Sequence, residues 1–323
     1  MFQPSQFKPT WWLKSPHAQS ILPKLLRKGI KLTTITETVE LPDGDFVDLA
    51  WTEKPTPDTT KPIVVVLHGL EGSVNSPYAK GMLQTIQQQG WTGLLIHFRG
   101  CSGRPNRLPN SYHSADIRDL NFFSPWLSTH FPNAPLFLVG FSLGGNVAVN
   151  YLAANPDNPY RAAAVICAPL DLASCSKKVN QGSSKIYQKY LLDLLKNSSL
   201  KKYQEQQLAE LLPEKIKAIK TLWEFDDLVT APLNGFKDAA DYYQQASGKP
   251  RLQLIKQPTL LIHAIDDPFL NHQDIIAIDK LPTNLHFEIS QHGGHVGFIY
   301  GNNPFKPKFW LEERIPQFFL SYL

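Results

Sequence analysis

The stretch from Pro135 to Ala154 constrains this chain more than any other. Pro135-Leu136-Phe137-Leu138-Val139 is apolar without a break, the pattern of a strand buried on both faces. Val147 to Ala154 continues as a good helix, which Asn155-Pro156 stops. Between them, Gly140-Phe141-Ser142-Leu143-Gly144 sets a glycine two residues before and two residues after a serine. A serine held in a strained strand-to-helix turn draws neighbouring backbone so close that only a glycine hydrogen fits. Such a turn lifts the hydroxyl over the carboxyl end of a sheet, where the new helix points its free N–H groups. An ordinary Gly-rich β–α turn has the same spelling. A nucleophile reading therefore requires a base, an acid and an oxyanion hole elsewhere in the chain.

The rest of the chain alternates in the same way. Residues 1–30 read as irregular. Residues 34–41 and 46–51 alternate around Pro42-Asp43-Gly44 and predict a hairpin. Ile63-Val64-Val65-Val66-Leu67 is continuously apolar and predicts a central strand; residues 93–98, 162–168 and 258–264 predict further strands, and 285–289 a last one. Helices are predicted over 78–89, 114–130 and 310–322. Strands that alternate with helices after an opening hairpin give an α/β chain with a mostly parallel sheet covered on both faces. The alternation breaks between 171 and 257, where helices are predicted over 187–212 and 234–246. The expected organisation is one domain over residues 1–323, with 171–257 as a helical insertion where a lid would sit.

The 323 residues, 42% of them hydrophobic, suffice for a packed core. A net charge of +4 without basic, aromatic-interleaved blocks excludes a nucleic-acid surface. Cys101, Cys167 and Cys175 lack zinc or CxxC spacing and read as thiols of a reducing compartment. No run approaches the ~20 apolar residues of a membrane span, and Pro4, Lys8, Pro9 and Lys14 interrupt any signal-peptide core. The expectation is a cytoplasmic protein. Trp11-Trp12-Leu13 beside Lys14 has the composition of a membrane-touching cluster, but is expected to pack onto its own domain.

A serine hydroxyl needs a base within hydrogen-bond reach, and the base needs an orienting group. The candidates run Ser142, Asp267, His295, the chain order expected around a strand-to-helix elbow. Asp266 rivals Asp267, and His292 rivals His295. Asp267 is favoured by its position three residues beyond Ala264, His295 by the two glycines before it. His292-x-x-His295 with the aspartates suggests a metal, but no third histidine follows at a useful spacing; neither metal nor cofactor is expected. For an oxyanion hole the candidates are the amides of Leu143, after the nucleophile, and Leu70, in the His68-Gly69-Leu70 loop after a central strand. Arg99 is expected to tie its loop to Asp116 or Asp119 rather than to anchor a substrate carboxylate.

With these residues in place, the chain resembles the α/β-hydrolase superfamily, and more narrowly its YheT-like branch of bacterial esterases. The resemblance rests on Trp11-Trp12-Leu13 with His17-Ala18-Gln19-Ser20, His68-Gly69-Leu70-Glu71-Gly72-Ser73, Phe98-Arg99-Gly100-Cys101-Ser102-Gly103 and Tyr112-His113-Ser114. Gly140 to Asn146, Phe225-Asp226-Asp227, Pro232 to Phe236, Asp266-Asp267-Pro268 and His292 to Phe298 complete it. His97 departs from the asparagine that relatives tend to carry. The resemblance implies Ser142, Asp267 and His295 as the charge relay and action on carboxylic esters, without naming the ester.

The expected function is a serine hydrolase that cleaves a small-molecule acyl ester through an acyl-enzyme. The same triad serves an acyltransferase or thioesterase, and a non-catalytic scaffold is the third reading. Tyr187, Tyr190, Leu191, Leu194 and Leu195 of the insertion either wall an apolar acyl pocket or only pack the insertion down. Dehalogenase or epoxide-hydrolase chemistry would want a carboxylate at the elbow, where Ser142 stands.

Overall fold

The computed structural model describes residues 2–27, 29–206, 212–271, 273–274 and 281–323. Nine strands form one sheet: β1 (Phe2–Pro4), β2 (Ile35–Glu40), β3 (Phe46–Trp51), β4 (Ile63–Leu67), β5 (Thr92–Ile96), β6 (Leu136–Phe141), β7 (Tyr160–Ile166), β8 (Thr259–Ala264) and β9 (Leu285–Ser290). Their spatial order is β1-β9-β8-β7-β6-β4-β5-β3-β2. Every pairing from β1 across to β5 is parallel, and the antiparallel pairs β3–β5 and β2–β3 leave β3 alone running against the rest. The runs read as central strands are buried throughout: every residue of β4, β5, β6 and β8.

The helices are α1 (Pro16–Leu26), α2 (Pro77–Gln88), α3 (Arg118–His130), α4 (Leu143–Ala154), α5 (Leu172–Val179), α6 (Lys185–Gln206), α7 (Pro213–Ala218), α8 (Ala239–Ala246) and α9 (Trp310–Leu320), with shorter helical turns over 222–233 and 249–254. The sheet is covered on both faces. Met82, Leu83 and Ile86 of α2 pack with Ile315, Phe318 and Phe319 of α9 against one face. Leu120, Phe123 and Leu127 of α3 pack with Val147, Tyr151 and Leu152 of α4 against the other. This is the α/β-hydrolase fold.

Two elements contradict the irregular reading of residues 1–30. Phe2–Pro4 adds an edge strand parallel to β9, too short and too close to a proline to show periodicity. α1 is a helix started by Ser15, whose side chain accepts the Ala18 N–H, with Pro16 in its first turn. The Trp- and Pro-rich composition hid that cap. The helix expected from residue 114 begins only at Arg118, because the Asp116 N–H turns back to the His113 carbonyl. Between β7 and β8 the described residues are helical and contain no strand. Of the helix expected over 187–212, residues 207–211 lie outside the described residues, and Leu212 precedes α7 instead of continuing α6.

Candidate active site

Ser142 sits between β6 and α4 with φ 52° and ψ −121°. Serine rarely adopts a positive φ, and packing enforces it here. A Cβ on Gly140 would lie 2.4 Å from the Gly144 carbonyl oxygen, and one on Gly144 would lie 2.5 Å from that of His68. The elbow is therefore closed by backbone-to-backbone contact. The Ser142 N–H donates to the Ile166 carbonyl at 2.8 Å, which fixes the tip over β7.

The structure brings Ser142, His295 and Asp267 together. His295 Nε2 lies 2.9 Å from Ser142 Oγ, and Nδ1 lies 2.8 Å from Asp267 Oδ2. A carboxylate only accepts, so Nδ1 carries the ring proton and Nε2 is free to accept the serine O–H. Asp267 has no exposed side-chain surface, and its other oxygen accepts the Phe269 N–H at 2.8 Å. The Phe269 ring stacks on the imidazole at 4.1 Å between centroids.

The two rivals lie alongside. Asp266 accepts the Gly294 N–H at 2.9 Å and faces His292 Nδ1 at 3.3 Å. Both contacts brace the loop that carries His295. Burial raises the Asp266 carboxyl above its usual range.

The His68–Leu70 loop approaches from β4. Gly69 N–H donates to the Tyr78 hydroxyl at 2.7 Å, and Glu71 N–H to the Tyr112 hydroxyl at 2.7 Å. Among the described residues, the amides of Leu70 and Leu143 donate to no group. His68 is fully buried, and desolvation pushes it down to about 3. As a neutral ring it accepts the Phe98 N–H at 3.0 Å on Nε2 and donates from Nδ1 to the Gly69 carbonyl at 2.7 Å. His97 bridges the Val74 N–H and the Asp48 carbonyl, so the histidine supplies polar contacts of its own in this loop. Arg99 is spent on carboxylates: Asp119 at 2.8 Å, Asp43 at 2.6 Å and Asp45 at 3.3 Å. Asp116 pairs instead with Arg118.

Contacts distant in the chain escaped sequence reading. The His295 N–H donates to Ser20 Oγ at 2.8 Å. Gln19, wholly buried, donates to the Leu13 and Ile299 carbonyls and accepts the Ile299 N–H at 2.7 Å. α1 thus clamps the histidine loop from outside. The only forewarning was the polar pair Gln19-Ser20 beside the tryptophans. Cys167 was likewise missed. Its sulfur and the nearest Asp267 and His295 ligand atoms lie within 4.8 Å of one another, the one such cluster among the described residues. Burial and the Asp267 charge hold the thiol well above its usual range. A protonated thiol beside an aspartate and a histidine already bonded to each other is a poor metal cage.

Of the five insertion residues considered for an acyl pocket, Tyr187 reaches this region, its ring packed at a 42° tilt against Phe269 with centroids 4.8 Å apart. Tyr190 is exposed, and Leu195 packs into a separate small cluster with Leu192, Ile216 and Phe225.

Residues 62–302 match the family described as the alpha/beta hydrolase fold, and the chain belongs to that family. Within it, the chain falls in the YheT-like branch. It is 46% identical over 323 residues to YheT of Escherichia coli (strain K12), a protein designated an esterase without a named substrate, and the match covers 99% of this chain and 94% of that one. It is also 29% identical over 289 residues to the medium-chain fatty acid ethyl ester synthase/esterase 2 of Saccharomyces cerevisiae, across 81% of this chain and 62% of that one. Among solved structures, the Pyrococcus furiosus esterase Pf2001 superposes with a TM-score of 0.59 at 15% identity, covering 100% of this chain and 97% of that one. At that identity the likeness concerns the fold.

Proposed function

We propose that the protein is a carboxylic-ester hydrolase working through an acyl-enzyme on Ser142. That it is an esterase-type α/β hydrolase follows from its family and relatives. The finer reading rests on one observation, the hydrogen-bonded chain from Asp267 through His295 to Ser142. In the first half-reaction His295 Nε2 takes the serine proton as Oγ attacks the acyl carbon. The oxyanion is held by the Leu70 and Leu143 amides, and the imidazolium by Asp267. His295 then gives the proton to the departing alkoxide. Water repeats the sequence on the acyl-enzyme and releases the acid. Loss of one oxyanion donor is expected to raise the barrier by about 3 kcal/mol. Acid stops the cycle, because an imidazolium cannot accept the serine proton. On this reading residues 171–257 are a helical insertion in a single domain and the substrate is a small acyl ester.

The test is Ser142→Ala against wild type on nitrophenyl esters of graded chain length. Turnover is expected to fall by at least about 10⁴-fold with an unchanged circular-dichroism spectrum. Wild-type rates from the folded variant would refute the mechanism. The synthase/esterase relative favours one second reading, transfer of the acyl group to an alcohol. An added alcohol would then divert product from acid to ester without changing the dependence on Ser142.

A further inference from the structure

Away from the site, exposed apolar side chains gather on elements that touch α1. Ile21 and Leu25 project from α1 itself. Trp11, in the turn before it, is 71% exposed, although Leu13 of the same cluster is buried. Ile186 and Tyr190 project from α6 at helical spacing, with Ile186 70% exposed. Phe305, 92% exposed, lies in the loop between the short paired strands β10 (Ile299–Tyr300) and β11 (Lys308–Phe309). Gln19 bonds α1 both to the Trp11 turn at Leu13 and to β10 at Ile299. The Arg27 guanidinium lies 3.6 Å from the Phe309 ring centroid. His17 Nδ1 meets the Tyr187 hydroxyl at 2.9 Å, and the Lys24 ammonium lies 5.3 Å from the Tyr190 ring centroid.

The charge beside these apolar side chains has one sign. Residues 1–36 contain no Asp or Glu but carry Lys8, Lys14, Lys24, Lys28 and Lys31, besides Arg27, which is buried and paired with Glu312. α6 opens with Lys185 and Lys189 and meets its first acid only at Asp193. Phe305 is flanked by Lys306 and Lys308. Lys8, Lys14, Lys24, Lys185 and Lys189 are all exposed. Protruding tryptophan, tyrosine and aliphatic side chains interleaved with lysines are the composition of a surface that rests at the headgroup level of a bilayer. There the apolar tips enter the acyl boundary and the ammonium groups meet lipid phosphates. An acidic protein partner would match the charge but leave apolar tips on several separate elements without a common groove to enter.

We propose that the face built on α1, the start of α6 and the 301–307 loop is a docking surface for an anionic phospholipid bilayer. No helix among the described residues is long and apolar enough to cross a membrane, so the attachment is peripheral. His17 bonds Tyr187, the Tyr187 ring packs at a tilt against Phe269 and Phe269 stacks on His295, so the α1–α6 seam connects this face with the imidazole. Delivery of an acyl chain along that seam rests on the function proposed above, whereas the docking does not.

Co-sedimentation of the full chain with phosphatidylcholine vesicles, with and without about one-third phosphatidylglycerol, tests the proposal. The expected partition coefficient is roughly tenfold or more higher on the anionic vesicles, falling when salt is raised from about 0.1 to about 0.5 M. Ile21→Glu with Ile186→Glu is expected to cut it roughly tenfold. Leu254→Glu, on the segment packed against α4, is expected to leave it unchanged. Hydrolysis of a water-soluble nitrophenyl ester by both variants should match wild type, which separates failure of docking from failure of the catalytic reading. Equal partition onto both vesicle types, or equal loss with Leu254→Glu, would overturn the proposal. So would a dimer in light scattering that the double variant converts to monomer, since a second copy would then occupy the face.

Discussion

The elbow and the helical stretch between β7 and β8 are held in place by different means. From Leu136 through Ala153 all but Ser142 is buried, and the turn is closed by carbonyl oxygens that sit where a side chain would begin. α6 buries few side chains, and side-chain tips attach it: Lys202 Nζ to Asn106 Oδ1 at 2.7 Å, Lys201 Nζ to the Gly103 carbonyl at 2.7 Å, and Tyr187 to His17 at 2.9 Å. A small cluster of its own, around Leu192, Ile216, Ile219, Phe225 and Val229, holds the stretch together. The first arrangement fixes one geometry and tolerates no added atom. The second is a set of contacts that can be removed singly, at about 0.5–1.5 kcal/mol for each ordinary hydrogen bond.

The sharpest way to break the comparison is Gly144→Val. Even the first carbon would stand 2.5 Å from the His68 oxygen and 2.7 Å from the Leu67 oxygen. The expected cost exceeds about 4 kcal/mol, read as loss of the cooperative urea transition, and a well-folded variant would contradict the packing argument. Asp267→Asn keeps the shape but cannot hold the same imidazole tautomer. We expect kcat to fall about 10⁴-fold with little change in melting temperature, and a small effect on kcat would remove Asp267 from the relay.

In the helical stretch the effects are smaller. Burial lowers Lys202 from its usual 10.5 to about 8. The folded state therefore favours the neutral amine, and the unfolded chain holds the extra proton between those two values. Stability should rise with pH across about 8 to 10.5 and be lost again as pH falls through about 8. Lys202→Met should abolish that slope in urea titrations at pH 7 and 10, and parallel titrations would contradict the assignment. Smallest is His17→Phe, which removes the bonds to Tyr187 and Ser183. About 1 kcal/mol is expected, seen as faster amide exchange in 185–206 with unchanged exchange in β6. Equal acceleration in both would erase the distinction between the two regions.

The same difference explains what was legible in the sequence. Strands buried on both faces announce themselves as unbroken apolar runs, so β4 to β8 were readable to within a few residues. The elbow glycines were readable because close backbone contact leaves no alternative residue. Order along the chain ranked Ser142, Asp267 and His295, but between the two adjacent aspartates the sequence offered only the distance of Asp267 from the strand end at Ala264. Which of them turns toward the imidazole depends on a loop in which Asp266 instead receives the Gly294 N–H. Ser20 and Gln19, some 275 and 280 residues from their partners, were invisible because the helix bearing them was hidden by its prolines and tryptophans.

The central claim is that Ser142 is the nucleophile and His295 its base. Peptide mass mapping after treatment with a fluorophosphonate tests it most directly. The account predicts a single adduct on the peptide containing Ser142, absent from Ser142→Ala and formed far more slowly in His295→Ala. An adduct on another residue, or none from protein that still hydrolyses esters, would contradict it.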